Sequence, residues 1–291
     1  EFYCVVASRS NDGSGQILMY KSNNLKEWEF VAIVDNSKNK VGRMWECPDL
    51  FSLNGKDVLI ISPQEVKATK DGFHNGNNTA YLIEKYDNEK NSFERESCNV
   101  IDFGLDFYAP QTLESTDGRR IMIGWMQSWE NRIVPANFKW CGMMTIPREL
   151  TIKEGCLIQN PIREIKNYYK NTVEYNNLTI KDEVSLDGIF GRELDITIDI
   201  DGSQAEEFKI KLAKNNEYET IINFNSKKNI IEFDRTYSGI YGDILHKREM
   251  KVSDKKGKVK MRLIIDKYSV EIFANDGEQV MTSTFYTPLE A

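Results

Sequence analysis

Short runs of Val, Ile, Phe and Tyr alternate with turn dipeptides along the whole chain. The dipeptides include Asn54-Gly55, Asp117-Gly118, Asp187-Gly188 and Asp201-Gly202, which favour tight connections between strands. Up to about residue 158 the apolar runs are short and aromatic, as in "VLIISP" and "RRIMIGWMQ". After about residue 182 they are longer and alternate strictly, as in "ELDITIDID" and "VKMRLIID". This pattern predicts an all-β protein.

The change of pattern along the chain predicts two domains. Residues 1–158 contain roughly a dozen short strands, enough for about three four-stranded blades of a β-propeller. Residues 171–291 show the one-sided alternation of a β-sandwich, in which only one face of each strand is buried. Residues 159–170 are predicted to form a short connecting helix, with Asn160 suited to cap it and Pro161 suited to its first turn.

Charge and cysteine content exclude several classes of protein. The chain has 38 Lys and Arg against 45 Asp and Glu, a net charge of −7, so nucleic acid and anionic membranes are not expected partners. No apolar run approaches the roughly 18 residues that span a bilayer. The five cysteines are widely spaced and there are two histidines, so neither a metal site nor a cofactor is expected. Unpaired cysteines favour a cytoplasmic location, with the thiols buried as small apolar groups.

Five segments together identify a family. They are "WECPDLF" at 45–51, "DFGLDFYAPQTL" at 102–113, "IMIGWMQSW" at 121–129, "MMTIPREL" at 143–150 and "YSVEIFANDGEQVMTS" at 268–283. In this order they resemble glycoside hydrolase family 32, the invertase or β-fructofuranosidase family. The resemblance implies a five-bladed β-propeller followed by a β-sandwich. It also implies hydrolysis of β-fructofuranosides such as sucrose, sucrose-6-phosphate or short fructans, with retention of configuration.

Glu46 is the predicted catalytic acid/base. A retaining glycosidase needs two carboxyl groups roughly 5–5.5 Å apart, one of which protonates the leaving oxygen. Such an acid must stay protonated near neutral pH, which an apolar setting favours. Glu46 lies between Trp45 and Cys47 in an apolar stretch, and the resemblance places the acid/base of the family at the glutamate of its E-C-P motif. The alternative is a strand-edge glutamate that faces solvent.

Two aspartates and a tryptophan are predicted to bind the sugar. The resemblance places Asp102 and Asp106 in a segment that lines the sugar-binding end of the propeller, where a carboxylate accepts hydrogen bonds from hydroxyl groups. Asp102 has turn capping as its alternative role. Trp125 offers an apolar ring face to the sugar, or fills space between blades. For Trp140 both interpretations stay open.

The nucleophile motif of the family, an aspartate in a W-x-N-D-P-N-G pattern, is absent, as is its R-D-P motif. Asp12, in Asn11-Asp12-Gly13, fits a hairpin turn better. The chain opens with "EFYCVVASRS", without an initiator Met, and we interpret it as the C-terminal part of a longer enzyme. We expect it to be inactive by itself. We also expect incomplete blades to expose strand edges through which the chain self-associates or pairs with another chain.

Three further interpretations concern the rim of the site, the alternative function and the sandwich. A phosphorylated substrate would favour basic residues at the rim, for which Arg43, Arg132 and Lys139 are candidates. The alternative function is a non-catalytic carbohydrate-binding or assembly module. The sandwich shows no catalytic constellation, and Arg235 and Glu271 are interpreted as exposed sheet residues.

Overall fold

The computed structural model describes residues 1–70, 72–87, 89, 92–131, 133–135 and 138–291, and it is an all-β protein. Its first half contains three antiparallel sheets, in each of which consecutive strands are neighbours. The first sheet has three strands, and the other two have four each. The strands are β1 (Phe2–Arg9), β2 (Gly15–Ser22), β3 (Glu29–Asn36), β4 (Met44–Leu53), β5 (Lys56–Gln64), β6 (Ala80–Asp87), β7 (Ser92–Val100), β8 (Tyr108–Glu114), β9 (Arg120–Trp125), β10 (Arg148–Lys153) and β11 (Cys156–Pro161).

The second half contains two four-stranded antiparallel sheets that enclose one core. Their strand orders are β12-β17-β18-β19 and β13-β14-β15-β16. The strands are β12 (Leu194–Asp201), β13 (Glu207–Leu212), β14 (Glu219–Asn225), β15 (Ile230–Tyr237), β16 (Lys247–Lys251), β17 (Lys258–Asp266), β18 (Ser269–Ala274) and β19 (Gln279–Thr284). Ile222 and Phe233 from one sheet pack with Met261 and Ile272 from the other, as the alternating pattern requires of a sandwich.

Face-to-face packing also joins the three sheets of the first half. Ile17, Met19 and Val34 of the first sheet share a buried cluster with Leu59 and Leu82 of the second. A separate cluster joins the second sheet to the third. The apolar positions of the short aromatic strands are therefore used on both faces of the second sheet, which explains why its strands lack strict alternation.

The connecting segment differs from its prediction. Asn160 and Pro161 end strand β11, and the helix that follows is a 3-10 helix over Arg163–Tyr168. Its N-cap residue is Ile162, which makes no side-chain capping bond. Pro161 fits the end of an edge strand because its missing N–H group is not needed for a ladder hydrogen bond there. A second, one-turn 3-10 helix covers Asn275–Gly277. Within the described residues, no helix has the length and apolarity that crossing a membrane requires.

Candidate active site

Glu46 is presented by a bulge in β4. It pairs with Ser62 of β5, and the next ladder pair joins Asp49 to Ile60, so β4 contains one extra residue. Cys47 takes up that residue with a left-handed backbone, φ +50°, and Pro48 follows it. A bulge of this kind redirects the side chain beside it and ends regular pairing.

Tyr108 is presented in the same way by β8. It pairs with Trp125, and the next ladder pair joins Gln111 to Ile123, again with one extra residue on the first strand. Ala109 has φ +49°, and Pro110 follows it. The first strands of the second and third sheets thus carry matching bulges at Cys47 and Ala109.

The two bulges bring Glu46 and Tyr108 into contact. The Tyr108 hydroxyl donates to Oε2 of Glu46 at 3.0 Å, and Nε2 of Gln64 donates to the same oxygen at 2.9 Å. Burial raises the pKa of the Tyr108 hydroxyl well above its usual range, and the nearby negative charge of Glu46 and the hydrogen bond to it raise it further. Burial and the Glu46 charge also raise the pKa of the Cys47 thiol. Tyr108 therefore remains a hydrogen-bond donor throughout the neutral range.

Glu46 and Trp125 line one cavity of about 400 Å³. The rings of Trp125 and Trp129 meet edge to face there, 5.4 Å between centroids. Glu46 is the one carboxylate among the described residues that line the cavity. The lining residues are Ala7, Met44, Glu46, Cys47, Tyr108, Ala109, Trp125 and Trp129. An aromatic face can pack against the apolar surface of a ligand, and a carboxyl group beside it can transfer a proton.

Asp102 lies outside this cavity, in the junction between the two halves of the chain. Its Oδ2 accepts bonds from Nη1 of Arg148 at 3.1 Å and from Oγ1 of Thr282 at 2.6 Å. Arg148 also donates to Glu271, from Nη2 at 2.6 Å. The side chains of Asp102 and Arg148 are fully buried. Burial raises the pKa of the Asp102 and Glu271 carboxyl groups, and the Arg148 charge opposes that effect.

Asp106, four residues after Asp102, makes equivalent contacts with the sandwich. Its Oδ2 accepts bonds from Nη1 of Arg235 at 2.6 Å and from the backbone N–H of Thr284 at 2.7 Å. Neither Asp106 nor Arg235 is exposed. A side chain with no exposed surface cannot hydrogen-bond a sugar in an open cavity. The structure thus corrects the expectation of sugar contacts for Asp102 and Asp106, and the expectation that Arg235 and Glu271 are exposed.

The remaining candidates are divided between structural contacts and the surface. Asp49 binds the backbone N–H and hydroxyl of Thr112 at 2.7 and 2.6 Å, which ties β4 to β8. Asp12 accepts hydrogen bonds within a turn from the Ser10 hydroxyl, the Ser14 hydroxyl and the backbone N–H of Ser14, the last at 3.0 Å, and these bonds lower its pKa to about 2. Trp140 joins an aromatic cluster with Phe138, Tyr268 and Tyr286 at the junction with the sandwich.

The two basic candidates that the structure describes lie at the surface. Arg43 pairs with exposed Glu65 at 3.5 Å, Lys139 is exposed, and Arg132 lies outside the described residues. In the described part of the chain no three His, Cys, Asp or Glu side chains converge as a metal site. All five cysteines are free, and Cys141 and Cys156 are exposed, so the expectation of buried thiols is wrong for these two.

Comparison with known proteins gives the class first. The chain matches the N-terminal domain of glycosyl hydrolases family 32 over residues 1–161 and the C-terminal domain of the same family over residues 164–291. The protein therefore belongs to glycosyl hydrolases family 32, a family of glycosidases.

Individual relatives agree with this assignment. A sucrose-6-phosphate hydrolase of Staphylococcus xylosus is 32% identical over 286 residues, which are 98% of this chain and 58% of that protein. A sucrose-6-phosphate hydrolase of Bacillus subtilis (strain 168) is 30% identical over 299 residues, 98% of this chain and 59% of that protein. The chain thus spans less than two thirds of the length of these relatives.

Solved structures show the same coverage. The sucrose-6-phosphate hydrolase of Lactobacillus gasseri superposes with a TM-score of 0.82 at 26% identity, over 99% of this chain and 59% of that one. A Bombyx mori family 32 β-fructofuranosidase superposes with a TM-score of 0.78 at 28% identity, over 98% and 58%.

Proposed function

We propose that this chain supplies the acid/base half of a β-fructofuranoside-hydrolysing site, in which Glu46 protonates the leaving glycosidic oxygen. The observation that carries the proposal is the carboxyl group of Glu46, held by Tyr108 and Gln64 beside the Trp125 ring in one cavity. Sucrose and sucrose-6-phosphate are the proposed substrates. The named activities of the relatives support them, and a variant of the Bombyx mori enzyme has been solved in complex with sucrose.

The hydrogen bonds of Glu46 suit a group that gives up and takes back a proton. Both Tyr108 and Gln64 donate to Oε2, and among the described residues Oε1 has no hydrogen-bond partner. Oε1 is then the oxygen that carries the proton to the leaving group, while Oε2 remains fixed. The two neutral donors stabilise the carboxylate left behind, which next takes a proton from the water that completes the reaction. The Trp125 ring supports the apolar face of the sugar.

Retention of configuration requires a second carboxylate roughly 5–5.5 Å from the first. Glu46 is the one carboxylate in the described lining of the cavity, and Asp12 is occupied in its turn. We propose that the nucleophile comes from polypeptide outside the described residues, and that these 291 residues by themselves do not complete the reaction. In this proposal the three sheets of the first half are three blades of a five-bladed propeller.

One face of the first sheet supports the proposal that the chain associates with a second copy when isolated. Phe30 and Ile33 are 56% and 51% exposed, and they pair with Tyr20 and Leu18, which lie on one face. Phe2 and Val6 of β1 add to the exposed apolar surface. Contiguous apolar surface of this kind is unusual on a monomer.

The test compares hydrolysis by three proteins: the 291-residue chain, a chimera, and the Glu46→Gln chimera. In the chimera, the part of the Lactobacillus gasseri enzyme that this chain does not match is fused to Glu1 of this chain. We expect no release of glucose or glucose-6-phosphate by the chain alone, release by the chimera, and a loss of about 10²–10⁴-fold on Glu46→Gln.

Two results would contradict the proposal. Hydrolysis by the chain alone that depends on Glu46 would show that the nucleophile is among these 291 residues. A folded chimera that binds fructose, with quenching of Trp125 fluorescence, but hydrolyses neither substrate would favour the carbohydrate-binding alternative.

A further inference from the structure

The segment from Asp102 to Phe107 runs along β19 of the sandwich and leads directly into Tyr108. The backbone N–H of Phe103 donates to Val280 O at 2.8 Å, and that of Asp106 donates to Thr282 O at 3.1 Å. A Cβ atom on Gly104 would overlap the backbone of Thr282, so the two segments touch along their main chains. The segment that leads to Tyr108 therefore packs directly on the sandwich.

Asp106 and Arg235 form the anchor nearest to Tyr108. Besides the 2.6 Å bond to Asp106, Nη1 of Arg235 donates to Thr284 O at 3.1 Å, and Nε donates to Leu245 O at 3.1 Å. Arg235 is thus fixed by β19 and by the segment before β16, and Asp106 is fixed by Arg235 and Thr284. The bond to Leu245 is partly buried and the others are fully buried, where charge-assisted hydrogen bonds are strong and displacement is costly.

On its other side Tyr108 has little support from the ladder. The pair with Trp125 is its one ladder position before the bulge at Ala109 interrupts the register. The N–H of Ala109 donates to the Ser62 side chain at 3.2 Å rather than to a neighbouring strand of its own sheet. The nearest residue before Tyr108 whose side chain is hydrogen-bonded to the sandwich is Asp106, two positions earlier.

We propose that Asp106 and Arg235 are positioning residues of the active site, through which the sandwich fixes the Tyr108 hydroxyl on Glu46. The sandwich then acts on the acid/base without touching substrate. The effect of this link on catalysis rests on the proposed function. The link itself concerns the Tyr108–Glu46 hydrogen bond, which can be measured without sugar.

The test is carbon NMR of protein labelled at tyrosine Cζ, whose shift responds to the hydrogen bond of the hydroxyl. Tyr108→Phe assigns the Tyr108 signal, and Glu46→Leu gives its position when the bond to Glu46 is lost and Ser62 O, at 3.2 Å, remains as the acceptor. We expect Arg235→Met to move the signal most of the way to the Glu46→Leu position. Arg235→Lys, which keeps a cation near Asp106, should return most of the shift.

Two controls separate positioning from a general loss of stability. Ile222→Ala opens a cavity in the sandwich core, and it should lower the melting temperature without moving the Tyr108 signal. Asp106→Leu/Arg235→Met replaces both charges by apolar groups of similar size, so it should fold and still move the signal. An unmoved Tyr108 signal in this double variant would overturn the proposal, whether or not the chain takes part in hydrolysis.

Discussion

Nη2 of Arg148 lies 2.6 Å from Oε2 of Glu271, and this bond joins β10 of the first half to β18 of the sandwich. The guanidinium also lies over the rings of Phe107 and Phe273, at 5.0 and 5.4 Å. One fully buried cation thus pairs with a carboxylate from each half of the molecule, since Asp102 is its other partner. Separation of the two halves would leave a buried charge unpaired, so these ion pairs couple the halves.

Loss of this cation should uncouple the two halves. Arg148→Met leaves Asp102 and Glu271 buried without a counter-charge, so we expect the free energy of unfolding to fall by about 3–5 kcal/mol. Asp102→Asn leaves Arg148 paired with Glu271, and it should cost only about 1–3 kcal/mol. Urea unfolding followed by fluorescence measures both. Equal losses in the two variants would contradict this account of the cluster.

The close approach at Gly104 gives a second prediction. Gly104→Ala places a methyl group against the Thr282 backbone, and we expect a loss of roughly 1–3 kcal/mol because β19 must move away. The control is Gly118→Ala, where no atom lies within 4 Å and only the left-handed backbone, φ +80°, opposes the side chain. Thermal unfolding should show two separate transitions for Gly104→Ala and one for Gly118→Ala. A single transition in both variants would contradict this prediction.

A buried carboxyl group between the first two sheets should make stability depend on pH. Glu84 of β6 is 1% exposed. Burial, followed by the negative charge of Asp35, raises its pKa from 4.5 to about 9, against the opposing effect of Arg95, and Asp57 adds to the rise. Arg95 itself binds Asp35 at 2.6 Å and so is shared between the two acids. Glu84 is therefore protonated in the folded protein at neutral pH.

The direction of this pH dependence follows from the protonation of Glu84 in the unfolded and folded chains. In the unfolded chain Glu84 releases its proton near pH 4.5, whereas the folded chain retains it up to about pH 9. The contribution of Glu84 to the free energy of unfolding is then greatest below the lower value and falls as pH rises between the two values, by up to about 1.4 kcal/mol per pH unit. Glu84→Gln should remove most of this slope. Urea unfolding at several pH values measures it, and identical slopes in the two proteins would refute the assignment.

The apolar face of the first sheet should control association. We expect the average mass of the isolated chain in sedimentation to rise with concentration, because Phe30 and Ile33 are exposed on that face. Phe30→Thr/Ile33→Thr keeps strand propensity and should remain monomeric. Phe190→Ser, at an exposed site outside any strand, is the matched control and should associate like the parent chain. A monomeric parent chain would be evidence against the proposal.

Alternation and turn dipeptides predict the all-β class, and the four apolar runs quoted for them fall in β5, β9, β12 and β17. The resemblance to the family brought Glu46 and Trp125 together, and both line the cavity. The shape of the bulge was not predicted, although the prolines after Cys47 and Ala109 were a usable signal, since proline interrupts a ladder.

The two aspartates could not be assigned from sequence because their partners lie far along the chain. Arg235 had a signal, since it shares its face of β15 with the buried Ile231 and Phe233. Glu271 had none. Its neighbours Val270 and Ile272 face the sandwich core, so Glu271 faces outward, and it is buried only because the first half covers that face. Alternation reports which side of a strand is polar, not what lies on that side.

Because of the matching bulges at Cys47 and Ala109, the geometry of the site depends on the number of residues in β4 and β8. Each adds one residue between the functional side chain and the ladder that follows. Substitution at either position keeps that count, whereas removing the residue restores the two-residue period and turns Glu46 or Tyr108 to the opposite face. Exchanges at 47 and 109 by residues that accept a left-handed backbone are therefore compatible with the site, and a shift in length there is not.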